Sequence, residues 1–189
     1  MLDVALSLLA TAFNNHLLAR TGAQTGAVKL TRTVDDNGKY AIEQDTIGLT
    51  VLNIEEERLT KAHTPDFIYR DGRHVVQPPV LKLNISAMFA ANFRVYDQAL
   101  KHLAIVLGYF QTHPLFTADE HPAQDPRIEK LVVELQSLTF EQLNQVWAFV
   151  GAKQLPAVFY RVRMVILEPE VPTGLQLPIT TIQATIGDR

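Results

Sequence analysis

Three consecutive carboxylates, Glu55, Glu56 and Glu57, follow a strongly apolar stretch and run directly into Arg58. Such a cluster can hold a divalent metal in a nuclease-like site, because Mg²⁺ is bound through carboxylate oxygens. Consecutive side chains on a strand point to opposite faces, however, so at most two of the three share a face. We therefore favour a charged strand end that prevents edge pairing or pairs across a subunit boundary, with metal catalysis as the alternative.

The six histidines are not spaced for chemistry, since none forms an HExxH pair that would place two imidazoles on one helical face. An acidic loop containing Asp119, Glu120, His121 and Asp125 is a second, weaker metal alternative. The sequence has neither a glycine-rich phosphate loop nor a GxSxG nucleophile elbow. It therefore predicts no catalytic residues, no metal and no cofactor.

Two pairs of arginines are candidates for binding. Arg161 and Arg163 alternate with apolar residues and so share one strand face, where they bind an anion or a partner's carboxylates, or simply face solvent. Arg70 and Arg73 flank an Asp-Gly turn signal in the segment 59–79, which predicts a protruding hairpin.

Composition limits the class of protein. The 189 residues carry a net charge of −3, which argues against a nucleic-acid-coating surface. The sequence contains no cysteine, which excludes disulfides and thiolate chemistry and fits a reducing compartment. No basic leader precedes the apolar N-terminus, and no segment is predicted to span a bilayer. We expect a cytoplasmic protein that binds neither nucleic acid nor membrane.

Strand signals dominate the middle and the end of the chain. Apolar residues occupy every second position from Leu81 to Phe93, which predicts one unusually long strand. Further strands are predicted at these positions: 27–34, 39–42, 46–54, 128–136 and 158–166. Residues 115–126 are predicted to be a proline-punctuated loop.

Three amphipathic helices are predicted. The first covers residues 2–20, and the third lies between Thr139, with a capping box to Gln142, and Gly151; its Trp147 is predicted to belong to the core. The second ends at His113, and the residues predicted to form its buried face are Tyr96, Leu100, Leu103, Leu107 and Phe110.

These elements predict an α+β fold, with a mixed or mainly antiparallel sheet packed against three helices, over residues 1–168. Residues 169–189 are rich in proline yet apolar, at Leu175, Leu177 and Ile179 among others. We expect this segment to be an extended C-terminal arm that binds another protein surface.

An ordered set of short segments resembles one known family. The segments are Leu49–Arg58, Phe89–Phe93, His113–Thr117, Ile128–Leu131, Leu143–Trp147, Gly151–Lys153, Leu155–Ala157 and Tyr160–Met164. In these the chain resembles the N-terminal domain of the tube-capping, tail-terminator proteins of phage-tail-like contractile injection systems.

The resemblance implies a tail-terminator-like fold and a structural role without catalysis. Such a protein forms a six-fold homohexameric ring on the distal end of the inner tube and sheath and stops their polymerisation. It is assembled in the cytoplasm and becomes part of a released or anchored particle. The alternatives are a baseplate or sheath adaptor of the same machine, or a small ligand-binding or enzymatic domain.

Under this hypothesis the contacts with other subunits come from three regions. The first is the boundary charges Glu55, Glu56, Glu57 and Arg58, and the second is the Arg161 and Arg163 face. The third is the hairpin with Arg70 and Arg73, together with the arm.

Overall fold

The computed structural model describes residues 2–57, 66–70, 73–77, 81–117, 128–166 and 174–176. The helices in this part of the chain are α1 (Leu2–Thr21), α2 (Tyr96–Thr112) and α3 (Phe140–Val150). The strands are β1 (Val28–Leu30), β2 (Thr46–Glu56), β3 (Asp66–Arg70), β4 (Arg73–Gln77), β5 (Leu81–Asn92), β6 (Leu115–Thr117), β7 (Ile128–Gln136), β8 (Ala157–Ile166) and β9 (Gly174–Gln176).

Six strands form the main sheet, in the order β1-β2-β5-β8-β7-β6. The β1 and β2 strands are parallel and the remaining pairs are antiparallel, so the sheet is mixed, as the sequence predicts. Its centre is the long strand β5, which pairs with β2 on one side and β8 on the other. The β3, β4 and β9 strands form a separate three-stranded sheet.

The first face of the main sheet carries the larger core, under α1 and α2. The β5 strand contributes Ile85, Ala87, Phe89 and Ala91 to it, because alternate side chains point to this side. Phe89 lies against Phe110 of α2, with ring centroids 5.4 Å apart. Burial of these aromatic and aliphatic groups is the main force that holds both helices on the sheet.

Helix α1 is apolar on more than its buried side. By length and composition alone α1 is long and apolar enough to cross a membrane, with a mean hydropathy of 1.2 over an 18-residue window, although the sequence predicts no spanning segment. In this fold the helix is a core element: Leu6, Leu9, Phe13 and Leu17 are buried against the sheet.

Helix α2 faces the core through only some of the predicted residues. Tyr96 is 67% exposed and Leu100 is also exposed, whereas Leu103 and Phe110 are buried as predicted. The remaining buried residues of α2 are Ala99, Val106 and Tyr109. The helix has two apolar stripes, and packing against β5 selects the one that contains the small residue Ala99.

The second face carries α3 and a smaller core made of Ile42, Met88, Ala90, Trp147 and Phe159. Helix α3 begins as predicted, with reciprocal hydrogen bonds between Thr139 and Gln142, at 3.0 and 3.2 Å. It ends at Gly151, whose φ of 72° is the left-handed conformation that favours glycine. Trp147 is buried in this core, as predicted.

Both edges of the main sheet differ from prediction. Residues 27–34 were expected to be a strand, but β1 covers only three of them, and the return strand at 39–42 is reduced to a bridge between Val34 and Tyr40. Residues 115–117, predicted to be loop, form β6, which pairs with β7 at the other edge. A proline-flanked segment is compatible with an edge strand because one side of an edge needs no partner.

Candidate interaction surface

Helix α3 covers only one end of the second face. Its contacts include Met88, Ala90 and Phe159, near the end of β5 and the start of β8. Toward the opposite end of the sheet, alternation places Asn84 and Ser86 of β5 on this face, because Ile85 and Ala87 belong to the first core. The sequence-predicted charges meet on this part of the sheet.

A register shift in β2 determines which carboxylates reach this surface. The shift lies between Val51 and Asn53, after which Glu55 is opposite Asn84 and Glu56 is opposite Leu83. Leu83 packs against the first core, so Glu56 is on the first side and Glu55 on the second. The Glu57 carboxylate accepts a hydrogen bond from Asn84 Nδ2 at 2.8 Å. The acidic run is therefore divided between the two faces, and Glu55 and Glu57 share one.

The two arginines of β8 lie on the same face as Glu55. Arg163 is opposite Asn84, and its Nη2 is 2.9 Å from Glu134 Oε2 of β7. Arg161 is exposed and lies opposite Ser86 on one side and Glu134 on the other. The Arg163–Glu134 pair is half-exposed, so it contributes little to stability, about 0 to 1 kcal/mol.

We call this surface the open face and define it by these residues: Asn53, Glu55, Asn84, Ser86, Glu134, Arg161 and Arg163. It combines carboxylates, guanidinium groups and amides on a pleated sheet. Charges of both signs at fixed spacing favour recognition of a protein surface with the complementary pattern. Within the described residues, no three His, Asp or Glu side chains come together as possible metal ligands. The alternative loop at Asp119–Asp125 lies outside the described residues.

A groove of about 530 Å³ lies between the open face and α3, and we call it the α3 groove. Leu52, Val146 and Phe159 provide apolar lining, and Phe149 forms part of the wall although 81% of it is exposed. The sequence patterns do not predict the α3 groove. The available signal was that Phe149 lies off the Leu143–Trp147 stripe of α3 and therefore had no predicted place in the core.

A second recess of about 490 Å³ lies at the other end of the open face. Its lining includes Glu57, Lys82, Glu129, Lys130 and Arg163, so it is strongly charged, unlike the α3 groove. The open face is thus bounded by one largely uncharged depression and one charged depression.

The other predicted contact residues lie elsewhere or beyond the description. Arg70 and Arg73 are opposite each other at the turn end of the β3–β4 hairpin, which confirms that this segment forms a hairpin. Leu175 is in β9, opposite Val75 of β4. Arg58, Leu177 and Ile179 lie outside the described residues.

The family model described as the Pvc16 N-terminal domain matches residues 6–181. A search of curated proteins finds no match.

Two solved structures share the fold. One is the sheath/tube terminator of PVC, an extracellular contractile injection system, in the extended state, with a TM-score of 0.65 and 14% identity over 100% of this chain. The other is the tube-terminating cap of the anti-feeding prophage, with a TM-score of 0.59 and 14% identity over 98% of this chain. The chain spans 62% and 60% of the lengths of these two proteins.

Proposed function

The chain belongs to the Pvc16 N-terminal domain family, and from this premise we propose that it is a structural terminator of a contractile injection system. In this role it caps the inner tube and sheath and ends their growth. The observation that carries the proposal is the match of the whole chain to the fold of a sheath/tube terminator, together with an open face suited to protein contacts. The role requires binding surfaces and no turnover of a substrate.

We propose further that the protein acts as a closed ring of identical subunits, a homohexamer. Ring closure needs heterologous contacts, in which one surface of a subunit meets a different surface of the next. The chain offers two such surfaces: the open face, with Arg161 and Arg163, and the hairpin-and-arm sheet, with Arg70 and Arg73 at its turn. We propose Glu55 and Glu57 as boundary charges of the first surface, together with Glu56 on the other side of β2 and with Arg58, which lies outside the described residues.

The proposal also implies which proteins this protein binds and where it is assembled. Its partners are copies of itself, the inner tube and the sheath, and it needs neither cofactor nor nucleic acid. Assembly in the cytoplasm would precede incorporation into the released or anchored particle.

Tube polymerisation with purified proteins tests the proposal. We expect the mean tube length, measured by negative-stain electron microscopy, to fall as the ratio of this protein to tube protein rises, because a cap stops elongation. Native mass spectrometry of the same sample should show a ring-sized species. Unchanged tube length together with a strictly monomeric protein would contradict the proposal.

The same assay separates a cap from the adaptor alternative. A baseplate adaptor nucleates tubes, so it would shorten the lag of polymerisation and leave elongation unaffected. A cap leaves the lag unchanged and suppresses elongation. Light scattering during polymerisation measures both phases.

A further inference from the structure

The α3 groove has the chemistry of a site for an extended, uncharged polypeptide. Among the described residues that line it, Glu55 alone carries a charge. Its apolar lining includes Leu52, Val146 and Phe159, and the amides of Gln136 and Gln145 stand among them. Side-chain amides both donate and accept hydrogen bonds, which suits the peptide groups of a bound segment.

Phe149 gives the groove an exposed aromatic wall. The side chain is 81% exposed on the wall of the groove. Covering an aromatic side chain of this size removes a large apolar area from water. A segment bound in the groove would cover Phe149 and bury this apolar area.

The chain itself contains a segment with the matching composition. Residues 177–187, which lie outside the described part, carry no charged side chain, and they include Leu177, Ile179, Ile182 and Ile186. Fully extended, these eleven residues reach about 36 Å, at roughly 3.3 Å per residue. The groove would otherwise leave apolar lining, Phe149 above all, exposed to water.

The last described residues before this segment form β9. The β4 strand runs from the hairpin turn toward β5, and β9 is antiparallel to it, from Gly174 opposite Val76 to Gln176 opposite His74. The chain therefore leaves Gln176 toward the turn of the hairpin, opposite to the direction that leads into the main sheet. Ring closure needs contacts between different surfaces of two copies, so we take the groove of a neighbouring subunit as the receiving site.

We propose that residues 177–187 of one copy bind in the α3 groove of a second copy. The inference rests on the self-assembly in the proposed function and names the contact that joins neighbouring subunits. It makes the interface heterologous, as ring closure requires: a segment on one side and a groove on the other.

Cysteine cross-linking tests the contact directly, because the sequence contains no cysteine. We expect a mixture of Gln145→Cys protein and Ile179→Cys protein to form a disulfide-linked dimer under mild oxidation. The matched control replaces Gln145→Cys by Ser7→Cys, an exposed position on α1, on the other side of the sheet. Dimer formation should exceed that of the control at least about tenfold.

Two cross-linking results would overturn the inference. One is a yield no greater than that of the Ser7→Cys control while native mass spectrometry still shows oligomers; the proposed function then survives and this contact does not. The other is a disulfide that forms only within the double variant Gln145→Cys/Ile179→Cys, which would mean that the segment folds back on its own chain. Absence of any self-association would instead contradict the proposed function.

A pair of phenylalanine variants provides a second measurement. Phe149→Ala should weaken self-association at least about tenfold, because it removes the exposed wall of the groove. Phe140→Ala is the matched control, since Phe140 is on the same helix, is 92% exposed and does not line the groove. Equal effects of the two substitutions would count against the α3 groove as the site.

Discussion

Gly26 is a residue at which the fold tolerates little change. Its φ of 83° lies in the left-handed region, and its backbone N–H donates to Asp45 O at 2.9 Å. A Cβ at this position would lie 2.0 Å from His102 Cδ2, whose ring is stacked on Phe93 with centroids 4.7 Å apart. The loop before β1 is therefore in direct contact with α2 through a glycine.

We predict that Gly26→Ala destabilises the protein by about 2 to 4 kcal/mol, because it adds a steric clash to the cost of positive φ. Gly22→Ala is the control: Gly22 has a similar φ of 68° with no atom within 4 Å of the added Cβ, so only the backbone cost of about 1 kcal/mol applies. Urea unfolding measures both values. Equal losses would show that His102 moves aside without cost.

Tyr160 makes the free energy of unfolding fall at alkaline pH. The side chain is buried in the first core, and this burial raises the pKa of its hydroxyl to about 12, from an ordinary value of 10.0. Between these two values the unfolded chain loses a proton that the folded chain keeps. Stability is thus fully present below pH 10 and falls as the pH rises toward 12, by about 2 to 3 kcal/mol.

The comparison with Tyr160→Phe isolates this contribution. We expect the variant to lose less stability between pH 10 and 12 than the parent, since phenylalanine has no proton to release. Unfolding free energies from urea titrations at several pH values provide the measurement. Parallel pH profiles for the two proteins would show that the Tyr160 hydroxyl is not protected by the core.

At the scale of elements, Asn14 connects α1 to the edge of the sheet. Its Nδ2 donates to Val28 O at 2.9 Å, and its Oδ1 accepts from Val28 N at 2.7 Å. These two bonds imitate the pairing that another strand would provide. The amide therefore keeps this part of the β1 edge from pairing with other chains.

We predict that Asn14→Ala costs about 2 kcal/mol, because it leaves the Val28 N–H and C=O without partners beside the core. The freed edge should also give concentration-dependent association, visible in sedimentation velocity. Asn15→Ala, an exposed neighbour on the same helix, is the control and should change neither property. A fully stable Asn14→Ala protein would mean that water replaces the amide.

Periodicity predicted the central elements but not the edges. The β5 strand was clear because apolar residues alternate over its length, and α3 because its capping residues are explicit. The buried face of α2 was partly mispredicted, since Tyr96 and Leu100 form a plausible apolar stripe and only the neighbouring elements select between stripes. The short strands β1 and β6 have three residues each, too few for a period to be visible.

At the scale of the whole molecule, the candidate surface could be predicted only in part. Strand alternation is sufficient to place Arg161 and Arg163 on one face. The α3 groove was beyond prediction because it depends on where α3 lies across the sheet, which long-range packing decides. The register shift in β2 was equally invisible, yet it determines that Glu55 rather than Glu56 joins the arginines.

This arrangement makes the open face testable without disturbing the fold. Arg161 is exposed, so Arg161→Glu should change the free energy of unfolding by no more than about 0.5 kcal/mol. On the open face, however, it reverses a charge next to Glu134 and leaves Arg163 as the only arginine of the surface. A partner with the complementary charge pattern would then meet a like charge, which costs several kcal/mol at an interface.

We therefore predict that Arg161→Glu raises the concentration needed to limit tube length at least about tenfold while the thermal unfolding midpoint stays unchanged. Arg20→Glu makes the same charge change at an exposed position on α1, which packs on the opposite side of the sheet. If both variants limit tube length as well as the parent, the open face does not contact the tube or a neighbouring subunit. If only Arg20→Glu loses the ability to limit tube length, the contact surface is the side of the sheet that carries α1 and α2. The pair of variants thus decides which face of the sheet the assembly uses.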